Sequence, residues 1–243
     1  MEKTKVGEFQ FVTEPYLSDF RGRVTIPIIG NYLLQVASKH AAERGFGYSD
    51  MSEKHTAWVL SRLAIEIIEY PAVSESITLY TWVDEVGRLF TSRCFELVNS
   101  EGKTFGYARS IWAAIDVNTR RPTLLDINRI GEYISDRPCP IEKPGKIAPI
   151  ENETEGSLYV VKYSDLDING HLNSMKYIEH LLDLFDIELF KTKDIKRFEI
   201  AYQSEGKYGM ELMLHKLKMD SDSYSLSICN GGKAICRASV IWS

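Results

Sequence analysis

The stretch GKTFGYARSIW, residues 102–112, is similar to GKAICRASVIW, residues 232–242, which lies 130 positions later. Both copies read G-K-x-x-x-x-A-x-x-I-W, and each follows a strand-like run and a turn. Two strand-like runs joined by a turn are typical of a β-hairpin. The sequence therefore predicts two related units, each containing antiparallel strands.

Each half also carries one helical pattern ahead of its strands. Apolar residues recur at steps of three or four, which is typical of an amphipathic helix. In the first half these residues are Ile26, Ile29, Leu33, Val36 and Ala37, and in the second they are Leu172, Met175, Ile178, Leu182, Phe185 and Leu189. One helix followed by antiparallel strands, repeated once, indicates an α+β fold. We expect two antiparallel sheets, each wrapped around a long central helix.

The joint between the halves is expected near residues 136–156, DRPCPIEKPGKIAPIENETEG, which contain four prolines and many charges. Such composition is typical of a linker. We therefore predict an N-terminal domain over 1–140, a linker over 141–154 and a C-terminal domain over 155–243.

Composition and charge exclude several classes of function. A net charge of −5 and a pI near 5.6 argue against broad nucleic-acid binding. No apolar run is long enough to span a membrane, and the first residues lack the pattern of a secretory or transit signal. The four cysteines and five histidines show no metal-ligand spacing. We expect a cytoplasmic protein with no cofactor, no metal, no membrane contact and no nucleic-acid partner.

A polar cluster stands ahead of the second helical pattern, in SDLDINGHLN, residues 164–173. Asp167, Asn169 and His171 occupy alternate positions, so their side chains share one side of an extended segment. Asn169 is a good N-cap residue, and Asp167 could close an Asx turn. The cluster therefore either caps the helix or performs chemistry. Asp165 is expected to be a surface or turn residue, and His180 is expected on the flank of the helix.

The first half offers an internal control for this choice. A shift of 146 positions aligns the Ser-Asp pair of SDFRGRVTIP with that of SDLDINGHLN. It places Asp167, Asn169 and His171 on Arg21, Arg23 and Thr25 of the first half. The first half then caps its helix with a plain threonine, so the polar set of the second half exceeds what capping requires. This comparison favours a catalytic role.

The segment SDLDINGHLNSMKYIEHLL closely resembles the active-site segment of the acyl-[acyl carrier protein] thioesterases of fatty-acid synthesis, the bacterial relatives of the plastid enzymes. TAWVLSRLAIEIIEYP, TWVDEVGR and ARSIWAAIDVNTRRP resemble the first half of that family, in the same order. The resemblance implies a tandem (double) hotdog fold whose N-terminal hotdog holds the acyl pocket and whose C-terminal hotdog holds the chemistry.

The family's catalytic aspartate, asparagine and histidine match Asp167, Asn169 and His171, and its glutamate matches Glu205 in YQSE. Gly206 follows this glutamate where plastid relatives often carry cysteine, so a thiolate nucleophile has no candidate here. Gly170 stands where those relatives carry glutamine.

The resemblance implies hydrolysis of the thioester of a fatty acyl-acyl carrier protein, which releases free fatty acid and ends fatty-acid synthesis. His171 would act as general base on water, and Glu205 would hold the other imidazole nitrogen. We expect the helix to open near Gly170, where free backbone N–H groups would bind the oxyanion. Asn169 would donate its amide N–H. Asp167 would either orient Asn169 or attack directly and form an anhydride.

The expected partner is an acidic acyl carrier protein, which calls for a locally basic surface. The candidate docking residues are Lys191, Lys193, Lys196 and Arg197. Two alternatives remain open, an acyl-CoA thioesterase with the same chemistry and a non-catalytic acyl-thioester-binding protein. The sequence fits a monomer or a homodimer equally.

Overall fold

The structure, a computed structural model, describes residues 4–150 and 156–243. The chain divides into two compact units, unit 1 ending at Lys143 and unit 2 starting at Pro144. The predicted linker, 141–154, spans this division, and its residues 151–154 lie outside the described residues.

Unit 1 contains five antiparallel strands in the spatial order β1-β3-β4-β5-β2. The strands are β1 (Val6–Val12), β2 (Thr56–Ile67), β3 (Ser76–Val86), β4 (Phe90–Asn99) and β5 (Thr104–Asp116). The helices are α1 (Ile26–Glu43), α2 (Tyr48–Glu53) and α3 (Ile127–Gly131), and a short 3₁₀ turn, Pro15–Leu17, precedes α1.

Unit 2 repeats this arrangement. Its strands are β6 (Ser157–Val160), β7 (Ile195–Tyr202), β8 (Glu211–Lys218), β9 (Ser223–Asn230) and β10 (Lys233–Trp242). Its helices are α4 (Ser174–Leu182) and α5 (Ile187–Thr192), and a 3₁₀ turn, Tyr163–Asp165, precedes α4. The antiparallel order β6-β8-β9-β10-β7 matches that of unit 1 strand for strand. The predicted α+β class and the internal repeat are therefore confirmed.

The first predicted helix forms as the sequence indicates. α1 follows Thr25 in an extended conformation and has a proline in its first turn, where a missing N–H is tolerated. Its apolar stripe is buried, with Leu33 and Val36 fully inaccessible, and it contacts β1 and β3. Burial of each such side chain contributes about 1.5–3 kcal/mol.

The second predicted helix is shorter than the apolar pattern that predicted it. α4 ends at Leu182, and α5 begins after Asp186, whose side chain accepts the Glu188 N–H at 2.8 Å. This side-chain cap starts a new helix within a pattern that reads as one. The expectation of one long helix in this half was wrong for that reason. No helix among the described residues is long and apolar enough to cross a membrane.

Candidate active site

Residues 166–172 form a tight hairpin immediately before α4. The Asp167 N–H donates to the His171 carbonyl at 2.8 Å, and the Gly170 N–H donates to the Asp167 carbonyl at 3.0 Å. Leu166 and Leu172 pair across the hairpin. Gly170 has φ +75°, a left-handed conformation that glycine adopts without steric cost. The hairpin thus fixes which way the polar side chains of this segment point.

The carboxylate of Asp167 holds the hairpin together. Its Oδ1 accepts the backbone N–H of Asn169 at 2.8 Å and that of His171 at 3.0 Å. A carboxylate that accepts several backbone N–H groups forms a local turn of fixed shape. Oδ1 of Asp167 is therefore bonded to the backbone, while the Asn169 side chain is exposed to solvent.

The hairpin brings His171 to a carboxylate. His171 Nε2 lies 3.3 Å from Glu205 Oε2, and the two side chains are 22% and 36% exposed. His171 pairs with Lys207, and the Leu172 N–H donates to the Gly206 carbonyl at 2.9 Å. A pair formed by these two side chains can orient an imidazole and remain accessible to a substrate.

A tyrosine on α4 holds the segment that carries Glu205. The Tyr177 hydroxyl accepts the Gly206 N–H at 2.7 Å and donates to the Ser204 carbonyl at 3.2 Å. Burial raises the pKa of Tyr177 well above its usual value, so the hydroxyl keeps its proton. A Cβ at position 206 would lie 2.9 Å from Leu172 Cβ, so the backbone here leaves no room for a side chain.

The helix does not open where the sequence indicated. α4 begins at Ser174, and its cap is Asn173, whose side chain accepts the Met175 N–H at 2.8 Å. Asn169 is therefore not the cap. The Gly170 N–H is bonded within the hairpin, so the expectation of free helix N–H groups at Gly170 for an oxyanion was wrong.

The alignment of the two halves was wrong by two positions. In unit 1, Asp19 Oδ1 accepts the N–H of Arg21 at 2.9 Å and that of Arg23 at 3.0 Å. This is the hairpin of Asp167 again, so the correct shift is 148 positions, from Asp19 to Asp167. It pairs Asn169 with Arg21, His171 with Arg23 and Asn173 with Thr25. The Ser-Asp pair that guided the first alignment is a coincidence of sequence.

The corrected alignment shows which residues of the hairpin the two units share. Arg23 pairs with Ala72 as His171 pairs with Lys207, which places Tyr70 at the position of Glu205. In unit 1 the Arg23 guanidinium lies 3.1 Å from an Asp19 carboxylate oxygen and 4.9 Å from the centre of the Tyr70 ring. The aspartate is common to both units, whereas the imidazole–glutamate pair belongs to unit 2.

The sequence analysis missed a buried contact between a carboxylate and an imidazole beside the hairpin. Asp165 is only 3% exposed, and its carboxylate lies 3.2 Å from His180 Nε2. Asp165 does lie in a turn, but the expectation of a surface position was wrong because the residue is buried. The two residues are 15 positions apart on different elements, and no local pattern indicates that they meet.

The candidate docking residues are largely neutralised by their own unit. Lys191 pairs with Glu188 at 2.6 Å, and Arg197 pairs with Glu199 at 2.8 Å. Lys193 forms an ion pair with Asp222. Lys196 is exposed. This surface is less basic than its lysines and arginine indicate from the sequence alone.

Known proteins resemble the chain along most of its length. The family model described as the acyl-ACP thioesterase N-terminal domain matches residues 5–130, and that of the C-terminal domain matches residues 148–243. An acyl-ACP thioesterase from Bacteroides thetaiotaomicron is 47% identical, with a TM-score of 0.94 over 98% of both chains. The 12:0-ACP thioesterase from Umbellularia californica shares the fold at 20% identity, with a TM-score of 0.89 over 100% of this chain and 99% of that chain.

Two curated plant proteins are more distant. Oleoyl-acyl carrier protein thioesterase 2, chloroplastic, from Arabidopsis thaliana is 29% identical over 81% of this chain and 58% of its own length. Palmitoyl-acyl carrier protein thioesterase, chloroplastic, from Gossypium hirsutum is 26% identical over 88% of this chain and 54% of its own length. The chain thus spans little more than half the length of these curated relatives.

Proposed function

Because the chain belongs to the acyl-ACP thioesterase family, we propose that it hydrolyses the thioester of a fatty acyl-acyl carrier protein and releases the free fatty acid. The observation that carries this proposal is the contact of 3.3 Å between His171 Nε2 and Glu205 Oε2. Unit 1 keeps the same hairpin with an arginine and a tyrosine at these positions. The hairpin backbone therefore forms without a His171–Glu205 pair.

His171 is the proposed general base. Its imidazole takes a proton from water as the water oxygen bonds to the thioester carbon, and Glu205 orients the ring. The tetrahedral oxyanion receives a hydrogen bond from the exposed amide of Asn169. When the carbon–sulfur bond breaks, the imidazolium returns its proton to the leaving thiolate. The products are a fatty acid and the free thiol of the carrier.

A thiol-release assay on acyl carrier proteins of several chain lengths tests this role. His171→Ala is expected to lower kcat by roughly 10²- to 10⁴-fold, the usual contribution of a positioned base. His55→Asn, at an exposed histidine outside the hairpin, is the control and should leave kcat unchanged. Unchanged turnover in His171→Ala would contradict the base assignment.

The same assay separates the proposal from its two alternatives. Acyl-CoA of the same chain length should be cleaved with a lower kcat/KM than the acyl carrier protein. A preference for acyl-CoA would make the protein an acyl-CoA thioesterase. Binding of both thioesters without thiol release would make it a non-catalytic acyl-thioester-binding protein.

Asp167 is proposed to hold the hairpin without attacking the substrate. Asp19 accepts the same two N–H groups in unit 1, where no histidine follows it in the hairpin, so these bonds do not require catalysis. Direct attack would leave an acyl–aspartyl anhydride on the enzyme. Mass spectrometry of enzyme quenched in acid during turnover should show no acyl adduct. An adduct that disappears in Asp167→Asn would overturn this role.

We also propose the finer architecture that the resemblance implies. Each unit is a hotdog whose strands curve around its main helix, and unit 1 supplies the acyl pocket while unit 2 supplies the chemistry. The contacts of α1 with β1 and β3, and of α4 with β9, support this arrangement. Substitutions inside unit 1 should change the chain-length preference, and substitutions in the hairpin of unit 2 should change kcat.

The carrier is proposed to dock on the segment that holds Lys191, Lys193, Lys196 and Arg197. Lys196 gives the clearest test because its reversal leaves the Lys193–Asp222 ion pair in place. Lys196→Glu should raise KM for the acyl carrier protein and spare small acyl-thioester analogues, because only the carrier is a large acidic partner. Lys39→Glu, an exposed lysine on α1, is the control. Equal effects on both substrates would exclude carrier docking at this segment.

A further inference from the structure

A second buried polar cluster lies in unit 2, beside the hairpin but outside the His171–Glu205 pair. Asp165, at the end of the 3₁₀ turn, accepts the Tyr159 hydroxyl at 2.6 Å and the Lys162 N–H at 2.8 Å, both on Oδ2. His180 of α4 places Nε2 3.2 Å from Oδ1. The rings of Tyr159 and His180 stack with centroids 4.0 Å apart. Three elements therefore meet on one carboxylate.

The cluster is built to keep Asp165 ionised. Burial raises the pKa of Asp165, but the hydrogen bonds from Tyr159, Lys162 and His180 outweigh burial, and the pKa falls below its usual value. Burial, together with the hydrogen bond to this carboxylate, raises the pKa of Tyr159, so its hydroxyl remains a donor. A buried carboxylate is costly unless it is hydrogen-bonded, and here Tyr159, Lys162 and His180 all bond to it.

Unit 1 fills the same place with apolar and aromatic side chains. At the shift of 148 positions, Phe11, Leu17 and Tyr32 correspond to Tyr159, Asp165 and His180. Phe11 and Tyr32 stack with centroids 4.5 Å apart, as Tyr159 and His180 do. The fold therefore forms this junction without an acid or an imidazole. The carboxylate–imidazole contact of unit 2 therefore calls for another explanation.

The backbone of Asp165 connects the cluster to the hairpin. Its carbonyl accepts the Asn173 N–H at 2.8 Å. Asp165 lies two residues before Asp167, and Asn173 lies two residues after His171, so this bond closes the base of the hairpin. A displacement of Asp165 would move both ends of the hairpin and, with them, the imidazole of His171.

We propose that Asp165, held by Tyr159 and His180, is a positioning residue that fixes the base of the hairpin and keeps His171 in contact with Glu205. This inference rests on the proposed function for its kinetic consequences. The position of the His171 ring is a property of the folded protein that can be measured without turnover.

The test replaces the cluster with the residues of unit 1. The triple variant Tyr159→Phe, Asp165→Leu, His180→Tyr should fold, because unit 1 packs the same trio, and circular dichroism checks that it does. Asp165→Asn provides a second, milder variant. Both should lower kcat at least tenfold, with KM changed less than twofold. In unit 1 the ion pair of Arg23 with Asp19 also holds the hairpin, and His171 stands at the position of Arg23 in unit 2. Tyr32→Phe in unit 1 is the matched control and should leave kcat unchanged.

A double-mutant cycle with Glu205→Gln distinguishes positioning from a general loss of structure. If Asp165 acts by holding His171 against Glu205, Asp165→Asn should lower kcat much less in the Glu205→Gln background than in the wild type. Equal losses in the two backgrounds, or an unchanged kcat in a folded triple variant, would overturn the proposal.

Nuclear magnetic resonance of the histidine rings separates this proposal from the proposed function. The His171 signals, identified by their loss in His171→Ala, should shift in Asp165→Asn towards their positions in Glu205→Gln. Unmoved signals would refute the positioning role even if the enzyme is active. A wild type that cleaves no acyl thioester would refute the function, while the ring signals would still decide the positioning role.

Discussion

A buried histidine in unit 1 should make the protein sensitive to mild acid. His40, on α1, is fully inaccessible, with Nε2 3.2 Å from the Lys5 carbonyl and Nδ1 3.1 Å from Arg93 Nη1. Burial lowers the pKa of His40, and the positive charges of Arg93 and Arg44 lower it further, to about 3. His40 is therefore neutral in the folded protein. Its Nε2 donates to the carbonyl, and its Nδ1 accepts from the arginine.

The size and direction of the effect follow from linkage. In the unfolded chain a histidine titrates near pH ~6.5, whereas the folded pKa of His40 is about 3. Between these two values the unfolded state binds a proton at His40 and the folded state does not. The stabilising contribution is present above pH ~6.5 and is lost as pH falls towards the folded pKa. Each pH unit is equivalent to about 1.4 kcal/mol, so the free energy of unfolding should fall by about 2 kcal/mol between pH 7 and pH 5.

Urea unfolding at pH 7, 6 and 5, followed by tryptophan fluorescence, measures this loss. Three of the four tryptophans lie in unit 1, so the signal reports mainly the unit that contains His40. His40→Gln keeps an amide that can donate and accept but does not titrate, and it should remove most of the loss. Carboxylates with lowered pKa, such as Asp165, lose their contribution mainly below this range. An equal pH dependence in wild type and His40→Gln would show that His40 is not its source.

Three further predictions follow from local contacts. Asn173→Ala should lower the free energy of unfolding by about 1 kcal/mol in urea titrations, whereas Thr25→Ala should cost less, since its side chain makes no capping hydrogen bond; equal losses would contradict this. Gly170→Ala should destabilise the protein by about 1–2 kcal/mol in the same titrations because its φ is +75°, and an unchanged midpoint would show that the hairpin rearranges. A hydrogen bond from the Cys94 thiol, against burial, lowers the pKa of Cys139, so Cys139 should react with iodoacetamide before Cys94 in timed mass spectrometry; the reverse order would contradict it.

The parts of the fold that the sequence predicted are those that local patterns determine. α1 was predicted because an unbroken apolar stripe follows Thr25, a residue type that is common at helix N-termini. The repeat was predicted because both halves contain the same sequence pattern for a hairpin strand, at residues 102–112 and 232–242. The second helix was predicted too long because Asp186 caps a new helix without breaking the apolar spacing. The spacing of apolar residues shows which side of a helix is buried. It does not show where one helix ends and the next begins.

The candidate site was less predictable because its contacts are not local. Asp167, Asn169 and His171 were selected from their spacing, but Glu205 came from the family resemblance alone. The pairing of Asp165 with His180 had no signal in the sequence, since both residue types are common on helix surfaces and in turns. Hydrogen bonds set the true register between the halves, and that register changed Asp167 from a residue peculiar to unit 2 into one that both units share.

That register also explains why only one unit can supply a base through this hairpin. At the position of His171 unit 1 has Arg23, and a guanidinium offers only N–H donors, with no atom that accepts a proton. However well the hairpin of unit 1 is placed, it cannot take a proton from water. The imidazole of His171 can accept a proton, and Glu205, at the position of the tyrosine, lies 3.3 Å from its Nε2. The aspartate makes the same backbone hydrogen bonds in both hairpins, so the capacity to accept a proton depends on the side chains that each hairpin carries.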